Sequence, residues 1–353
     1  MNSPSAFLVS RSAVAGYLEK PLRESVDRLE EPLRTMARYH FGWDGCDDPT
    51  SPAGTRRRGA TMTLLCSGSD PAIHWPRALE AAIAATLLLN SYVIYDDIID
   101  NDRMRRGRPA VWTVYGLGAT LQLGSALQAL AFEILAETPA MSSDAVRRAA
   151  EITRIVCAGQ IRDLQMETLH QVTLQQSLDM YREKDGGCAQ LCCVLGALSA
   201  GGSTEQVEAA SELGIKAGIV FALNGALAEI WGGPDRESKL AMSDLRQRKK
   251  TPLITAAMDL CGRKDREDLS TFLTADTHRT SEESLIHIVG ILERSGVRAW
   301  AAQYIECHLD AIAGLLPVAV PDSQARNLIS AYLGSLRITD LAGEAGGRTV
   351  AEA

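Results

Sequence analysis

One long segment free of helix-breaking residues narrows the choice of fold more than any other feature of this sequence. From Pro76 to Asp100 there is no glycine, and no proline follows the first residue. Proline is well tolerated in the first turn of a helix, so Pro76 suits the start of one long helix that continues to Asp100. Aromatic residues make up only 5% of the chain. The core is therefore expected to be aliphatic and helical.

The remaining sequence has the same helical character. Helical periodicity recurs from Leu22 onward, whereas the period-two alternation of a half-buried strand is scarce. No repeat and no linker divides the chain. We predict an all-α protein with a single bundle domain over residues 21–340. A flexible lead-in at 1–20 and a frayed tail at 341–353 would flank that domain.

Charge and composition argue against several functional classes. The sum of 36 Lys and Arg against 44 Asp and Glu gives a formal net charge of −8, which disfavours nucleic-acid binding because phosphate contacts need a positive surface. The clean apolar run Ala81–Leu89 covers nine residues, and a membrane span needs about 20. The first ten residues lack the basic start of a signal peptide. Eight cysteines without CxxC pairs are predicted to be reduced thiols of a cytoplasmic protein.

An acidic cluster ends the long helix. On a helix, residues four apart share a face, so Asp96 and Asp100 point the same way, with Asp97 beside them. Like charges at this spacing repel, and a bound divalent cation would compensate them. Clustered carboxylates suit Mg²⁺, which prefers hard oxygen ligands and is often shared with substrate phosphates. The apolar residues that precede the cluster favour a buried Mg²⁺ site over a solvated helix end.

Basic residues form three clusters in this acidic protein. They are Arg56-Arg57-Arg58, then Arg103, Arg105, Arg106 and Arg108, and finally Arg246, Arg248, Lys249 and Lys250. Together with the acidic cluster they predict a polyphosphate ligand, clamped by Mg²⁺ on one side and by Arg and Lys on the other. The sequence lacks a GxxxxGK[ST] loop, so a nucleotide held by a P-loop is disfavoured.

These residues resemble the all-trans isoprenyl diphosphate synthases and the class I terpene cyclases built on the same fold. The stretch 96–109 is similar to the first aspartate-rich motif of that family with its trailing Arg-Arg-Gly-x-Pro. Four later stretches match in order: Gly159–Leu164, Lys184-Asp185 in place of a Lys-Thr pair, Ser243–Leu245 and Lys249–Thr251. The resemblance implies a bundle of long helices around a deep cavity, Mg²⁺ as the cofactor, a prenyl diphosphate as the substrate and a homodimer.

The resemblance also implies residue roles. Asp96, Asp97 and Asp100 would bind the metal and act in catalysis. Tyr92 and Phe221 would present aromatic faces to a carbocation, which the ring quadrupole can stabilise. The groups expected to bind the substrate diphosphate are Arg58, Arg105, Arg106, Lys184, Lys239 and Lys249.

The second aspartate-rich motif of the family is altered in this chain. It reads Asn224-Gly225-Ala226-Leu227-Ala228-Glu229. Asn224 and Glu229 keep oxygen ligands, and we predict that both bind metal. Positions five apart do not share one face of a regular helix. A local break or π-type bulge near Gly225 is therefore expected.

The acceptor site of the chain-elongating members is altered as well. The stretch Gly54–Gly59 keeps Arg58 but has Thr55 in place of a lysine, and Leu89 replaces a histidine. Loss of these cationic partners predicts poor binding of a second diphosphate. We therefore predict a Mg²⁺-dependent terpene cyclase that ionises a linear C15 or C20 prenyl diphosphate. The open alternatives are prenyl transfer to an indole or another aromatic ring, chain elongation, and a partner subunit of a synthase.

Overall fold

The computed structural model describes residues 4–43, 58–139, 141, 143–232, 242–275 and 280–336, and these are almost entirely helical. The all-α prediction is confirmed. The helices are α1 (Pro4–Val26), α2 (Leu33–Phe41), α3 (Arg58–Ser67), α4 (Trp75–Ile99), α5 (Val111–Tyr115), α6 (Leu117–Glu137), α7 (Ser143–Thr168), α8 (Leu174–Tyr181), α9 (Gly187–Ser199), α10 (Thr204–Trp231), α11 (Ser243–Arg246), α12 (Pro252–Leu260), α13 (Arg263–Thr274), α14 (Glu282–Ser295), α15 (Val297–Ala319) and α16 (Ser323–Gly334). A hairpin of β1 (Met104–Arg105) and β2 (Arg108–Pro109) follows α4.

Two long apolar helices lie at the centre of the bundle. Helix α4 packs against α3, α6 and α9, and α10 packs against α9 and α15. Proline occupies the first turn of α4, as expected, and Leu87, Leu88 and Ile94 are almost wholly buried. A helix covered on several sides is apolar on several sides. This explains why α4 shows no single polar face in the sequence.

Within the described part of the chain, three helices are long and apolar enough, by length and composition alone, to cross a membrane: α4, α6 and α10. In the most apolar window of each, 67%, 44% and 61% of the residues are buried inside the protein. The expectation that the chain has no membrane span stays a prediction.

The N-terminal segment differs from the expected flexible lead-in. Helix α1 begins at Pro4 and continues to Val26. Val14, Leu18 and Leu22 recur four residues apart and are fully buried in the core, a spacing that places them on one helix face. From residue 13 to residue 20 the chain is therefore part of a packed helix, and the domain boundary at residue 21 stays a prediction. The predicted tail at 341–353 lies outside the described residues.

A π-helical turn, Arg182–Gly186, joins α8 to α9. Helix α10 crosses this turn at close range because it carries glycine at the contact. A Cβ atom at Gly218 would lie 2.3 Å from the carbonyl oxygen of Asp185, which no side chain can occupy. The close crossing places Lys184 and Asp185 on the wall of the bundle cavity.

Candidate active site

The carboxylates at the end of α4 form the acidic side of the candidate site. Asp96 is 22% exposed, whereas Asp97 and Asp100 are each 2% exposed at their side chains. The C-terminus of a helix carries partial negative charge, so buried carboxylates there need cations nearby. Basic groups from three other parts of the chain supply them.

The β1–β2 hairpin supplies the first of these cations. Arg106 and Gly107 form its two-residue turn with φ of 54° and 75°, as a type I′ turn requires. Because of this turn, the side chains of Arg105 and Arg106 point in different directions. Nε of Arg105 donates to Asp97 at 2.6 Å, and its guanidinium lies 3.5 Å from both Asp96 and Asp102. Burial raises the pKa of Asp97 to about 6, although Arg105 opposes the shift.

Lysines occupy the opposite wall and share one carboxylate of α7. Nζ of Lys184 lies 3.1 Å from Asp96 and 2.9 Å from Asp163. Nζ of Lys249 lies 2.5 Å from Asp100 and 3.8 Å from Asp163. Burial alone would lower the pKa of Lys184, but the nearby carboxylates outweigh it and hold that pKa well above its ordinary value. Both lysines are therefore cationic in this site.

Three carboxylates converge closely enough to hold a cation. One oxygen each of Asp96, Asp100 and Asp102 lies within 4.8 Å of the others. Hard oxygen donors at this separation suit Mg²⁺. Asp102 is not among the predicted ligands, although it lies only two residues beyond Asp100. Asp97 faces Arg105 instead, and its role as a metal ligand stays a prediction.

A cavity of about 280 Å³ begins beside this cluster. Its wall brings together Asp96, Lys184, Arg58, Arg106 and Tyr92, all of which were predicted from the sequence as site residues. The Tyr92 hydroxyl lies 2.8 Å from that of Thr153 on α7. Asp96 of the acidic cluster and four further predicted residues therefore share one cavity.

The family can be identified from this site together with comparisons with known proteins. The Polyprenyl synthetase family matches residues 45–290. The chain belongs to this family. It is 31% identical over 317 residues to a (2E,6E)-farnesyl diphosphate synthase of Mycobacterium bovis, covering 87% of this chain and 86% of the relative. It is 32% identical over 240 residues to a geranylgeranyl diphosphate synthase of Mycobacterium tuberculosis, covering 67% and 69%.

Solved structures agree with this membership. A polyprenyl synthetase from Streptomyces coelicolor superposes with a TM-score of 0.80 at 27% identity, covering 95% of this chain and all of that one. A geranylgeranyl pyrophosphate synthase superposes with a TM-score of 0.81 at 19% identity, covering 95% and 98%. The chain is thus a member of an enzyme family of isoprenyl transferases.

The prediction of a terpene cyclase is wrong. The relatives found are named as prenyl diphosphate synthases, which agrees better with the chain-elongating alternative. The cyclase interpretation depended on the altered acceptor motif. Leu89 does lie in the cavity wall, but Arg58 and Arg106 lie in the same wall. Cationic groups are therefore present in the cavity wall beside Leu89.

The altered second motif lies on an unbroken α-helix. Helix α10 continues through 224–229, and the π-helical turn lies at 182–186 instead. The amide of Asn224 donates to the carbonyl of Val220 at 3.0 Å. A carboxylate oxygen of Glu229 accepts from the backbone N–H of Asp244 at 2.7 Å. Metal binding by Asn224 and Glu229 stays a prediction.

Phe221 is not among the residues that line this cavity. Phe221 packs against Tyr332, with 5.6 Å between ring centroids, and Arg58 lies 5.9 Å from its ring. Lys239 and Thr55 fall outside the described residues. Asp163 was not predicted as a site residue. It belongs to the stretch Gly159–Leu164, and the resemblance of that stretch to the family was the signal that could have identified it.

Proposed function

We propose that the chain is a Mg²⁺-dependent all-trans prenyl diphosphate synthase. It would join an allylic diphosphate to isopentenyl diphosphate and release inorganic diphosphate, with a C15 or C20 product. The observation that carries this proposal is one cavity lined by cationic groups from three elements, the π-helical turn, α3 and the β1–β2 hairpin. Lys184 lies beside Asp96, and Arg58 and Arg106 lie in the same wall. Two diphosphates need two such groups to offset their charge.

The acidic cluster and its lysines would act on the allylic substrate. Asp96, Asp100 and Asp102 would hold Mg²⁺, which when bound draws negative charge from the departing diphosphate. Lys184 and Lys249 are positioned to donate hydrogen bonds to the same leaving group. Donors that are already in place cost no reorganisation during the reaction.

The rest of the cavity would receive the acceptor and the prenyl chain. Arg58 and Arg106 would bind the acceptor diphosphate. Leu89, Tyr92 and Val93 present apolar surface to the cavity, where a prenyl chain would exclude water from the cation. A cytoplasmic location and a homodimer belong to the same proposal and depend on the family resemblance.

A second candidate is prenyl transfer to an acceptor without a diphosphate. The observation in its favour is Leu89, which packs against Gly59 so closely that a Cβ there would lie 2.3 Å from the Leu89 Cδ1 atom. This part of the cavity is apolar where a charged acceptor would need a donor.

Labelled isopentenyl diphosphate tests the two candidates directly. The protein is incubated with Mg²⁺ and dimethylallyl, geranyl or farnesyl diphosphate, and the products are separated by chain length. We expect label in a C15 or C20 diphosphate. Diphosphate release without incorporation of label would overturn the synthase proposal, and turnover only with added indole would support the second candidate.

A further inference from the structure

A buried hydrogen-bond chain ties Arg106 to two elements outside its own hairpin. The Oδ1 atom of Asn90 on α4 lies 3.0 Å from Nε2 of His40 on α2, and a guanidinium nitrogen of Arg106 donates to the same Oδ1 at 3.4 Å. His40 and Asn90 are 8% and 7% exposed. None of the sequence motifs includes either residue.

The orientation of the Asn90 amide is determined by its other end. Its Nδ2 donates to the carbonyl of Thr86 at 2.7 Å, and a carbonyl can only accept. The amide oxygen must therefore face His40 and Arg106. With Oδ1 as the acceptor, the facing Nε2 of His40 acts as the donor.

The end of α2 also fixes the hairpin that carries Arg106. The Tyr39 hydroxyl donates to the carbonyl of Pro109 at 2.8 Å, and Arg108 donates to the carbonyl of Tyr39 at 3.3 Å. The guanidinium of Arg108 lies 4.4 Å from the centre of the Tyr39 ring. Arg106 itself has a φ of 54°, an uncommon conformation for a non-glycine residue that the surrounding contacts must maintain.

The chemistry of the acceptor atom suits an arginine that is to bind an anion. A carboxylate at position 90 would cancel the charge of Arg106 and compete with a diphosphate. An amide oxygen orients the guanidinium while leaving its positive charge in place. Arg106 lines the cavity together with Asn90, so this orientation is set at the cavity wall.

We propose that His40 and Asn90 are positioning residues that hold Arg106 for the acceptor diphosphate of this chain. The inference depends on the proposed synthase function, since that function supplies the acceptor. It explains how the acceptor site can operate with Leu89 in its wall: an oriented arginine binds a diphosphate through two parallel hydrogen bonds.

A double-mutant cycle tests this proposal. Asn90→Ala is expected to raise the KM for isopentenyl diphosphate about tenfold, equivalent to about 1.4 kcal/mol, with kcat and the KM for the allylic substrate within about twofold of wild type. In an Arg106→Gln background the same change is expected to add less than about twofold, because the two residues act as one unit. Additive effects in the cycle would overturn the proposal.

Two further variants separate positioning from general stability. His40→Gln retains an N–H donor and is expected to keep most of the affinity that His40→Phe loses. Ser199→Ala is the matched control, because it removes a buried hydrogen bond, 2.7 Å to the carbonyl of Gly196, away from the cavity. Its KM is expected to be unchanged. Equal KM values for His40→Gln and His40→Phe would contradict a positioning role.

Calorimetric titration of isopentenyl diphosphate into metal-free protein distinguishes this inference from the proposed function. Weaker binding in Asn90→Ala than in wild type supports the positioning role even if no elongated product forms, in which case only the synthase proposal fails. Normal condensation by the wild type, with equal binding by wild type and Asn90→Ala, would overturn the positioning role alone. Absence of binding by the wild type would overturn it as well.

Discussion

The end of α4 carries the first aspartate-rich motif, and α10 carries the altered second motif. The polar side chains of the two helices make different kinds of contact. At the end of α4, Asp96 and Asp100 pair with Lys184 and Lys249. On α10, Asn224 bonds to its own helix and Glu229 bonds to the backbone of α11. One helix presents charge to the cavity, and the other uses its polar groups to hold backbone in place.

The second acidic wall of the site is formed by α7. Asp163 of α7 is 7% exposed at its side chain and lies within 4 Å of both lysines. A buried carboxylate shared by two cations is strongly constrained, because removal of any member leaves an unpaired charge. The carboxylates that pair with the two lysines thus come from α4 and α7.

The largest loss of activity is expected when the carboxylates at the end of α4 are removed. Asp96→Ala or Asp100→Ala is expected to lower kcat for condensation about a thousandfold, since metal binding supplies several kcal/mol of charge stabilisation. Diphosphate release measures the rate. Asp144→Ala, on the exposed first turn of α7, is the control and should be unaffected. Release within about threefold of wild type would remove the metal assignment.

Replacement of the α7 carboxylate tests whether it forms the second wall. Asp163→Asn keeps the shape but removes the charge that Lys184 and Lys249 share. We expect kcat to fall roughly 10- to 100-fold, the range of residues that orient a metal or its ligands. A stopped assay at saturating substrate provides the measurement. Wild-type turnover would show that the lysines are positioned without α7.

The π-helical turn is expected to make the free energy of unfolding depend on pH. Burial raises the pKa of Asp185 to about 7, whereas the unfolded residue titrates near 4. Between these values the folded state binds more protons than the unfolded state, so stability falls as pH rises. Asp185→Asn lacks this titration and is expected to gain about 2 kcal/mol on wild type between pH 5 and pH 8. Urea unfolding in EDTA tests it, and parallel pH curves would contradict it.

The smallest effects are expected on α10. Asn224→Ala and Glu229→Gln should each change turnover by no more than about threefold, with a raised Mg²⁺ requirement if either residue still takes part in metal binding. Titration of Mg²⁺ against initial rate separates the two possibilities. A loss of turnover as large as that of Asp96→Ala would show that α10 contributes as much to the site as the end of α4 does.

Much of the fold was predictable because its signals are local. Freedom from glycine and proline predicted the helix Pro76–Asp100, and the structure has α4 at Trp75–Ile99. The hairpin after it was not predicted, since two-residue strands have no period to detect. The apolar spacing of α1 is interrupted by polar residues, so the helix signal in residues 1–20 is weaker than that of Pro76–Asp100.

The site was predictable only where its residues are neighbours in sequence. Asp96 and Asp100 share a face by helical spacing alone. No spacing rule links Asp163 to Lys184 and Lys249, because their pairing depends on how α7 packs against the π-helical turn and the segment after α11. His40 and Asn90 were missed for the same reason: their contact joins residues fifty positions apart.

The π-helical turn between α8 and α9 accommodates one extra residue in an otherwise α-helical path. Each residue rotates a helix by about 100°, so deletion of a single residue within 182–186 would restore a regular helix while turning Lys184 away from Asp96. An insertion or deletion here therefore changes which side chains enter the cavity without breaking the helix. Homologous chains that lack the turn should align with this one only through a one-residue gap within 182–186.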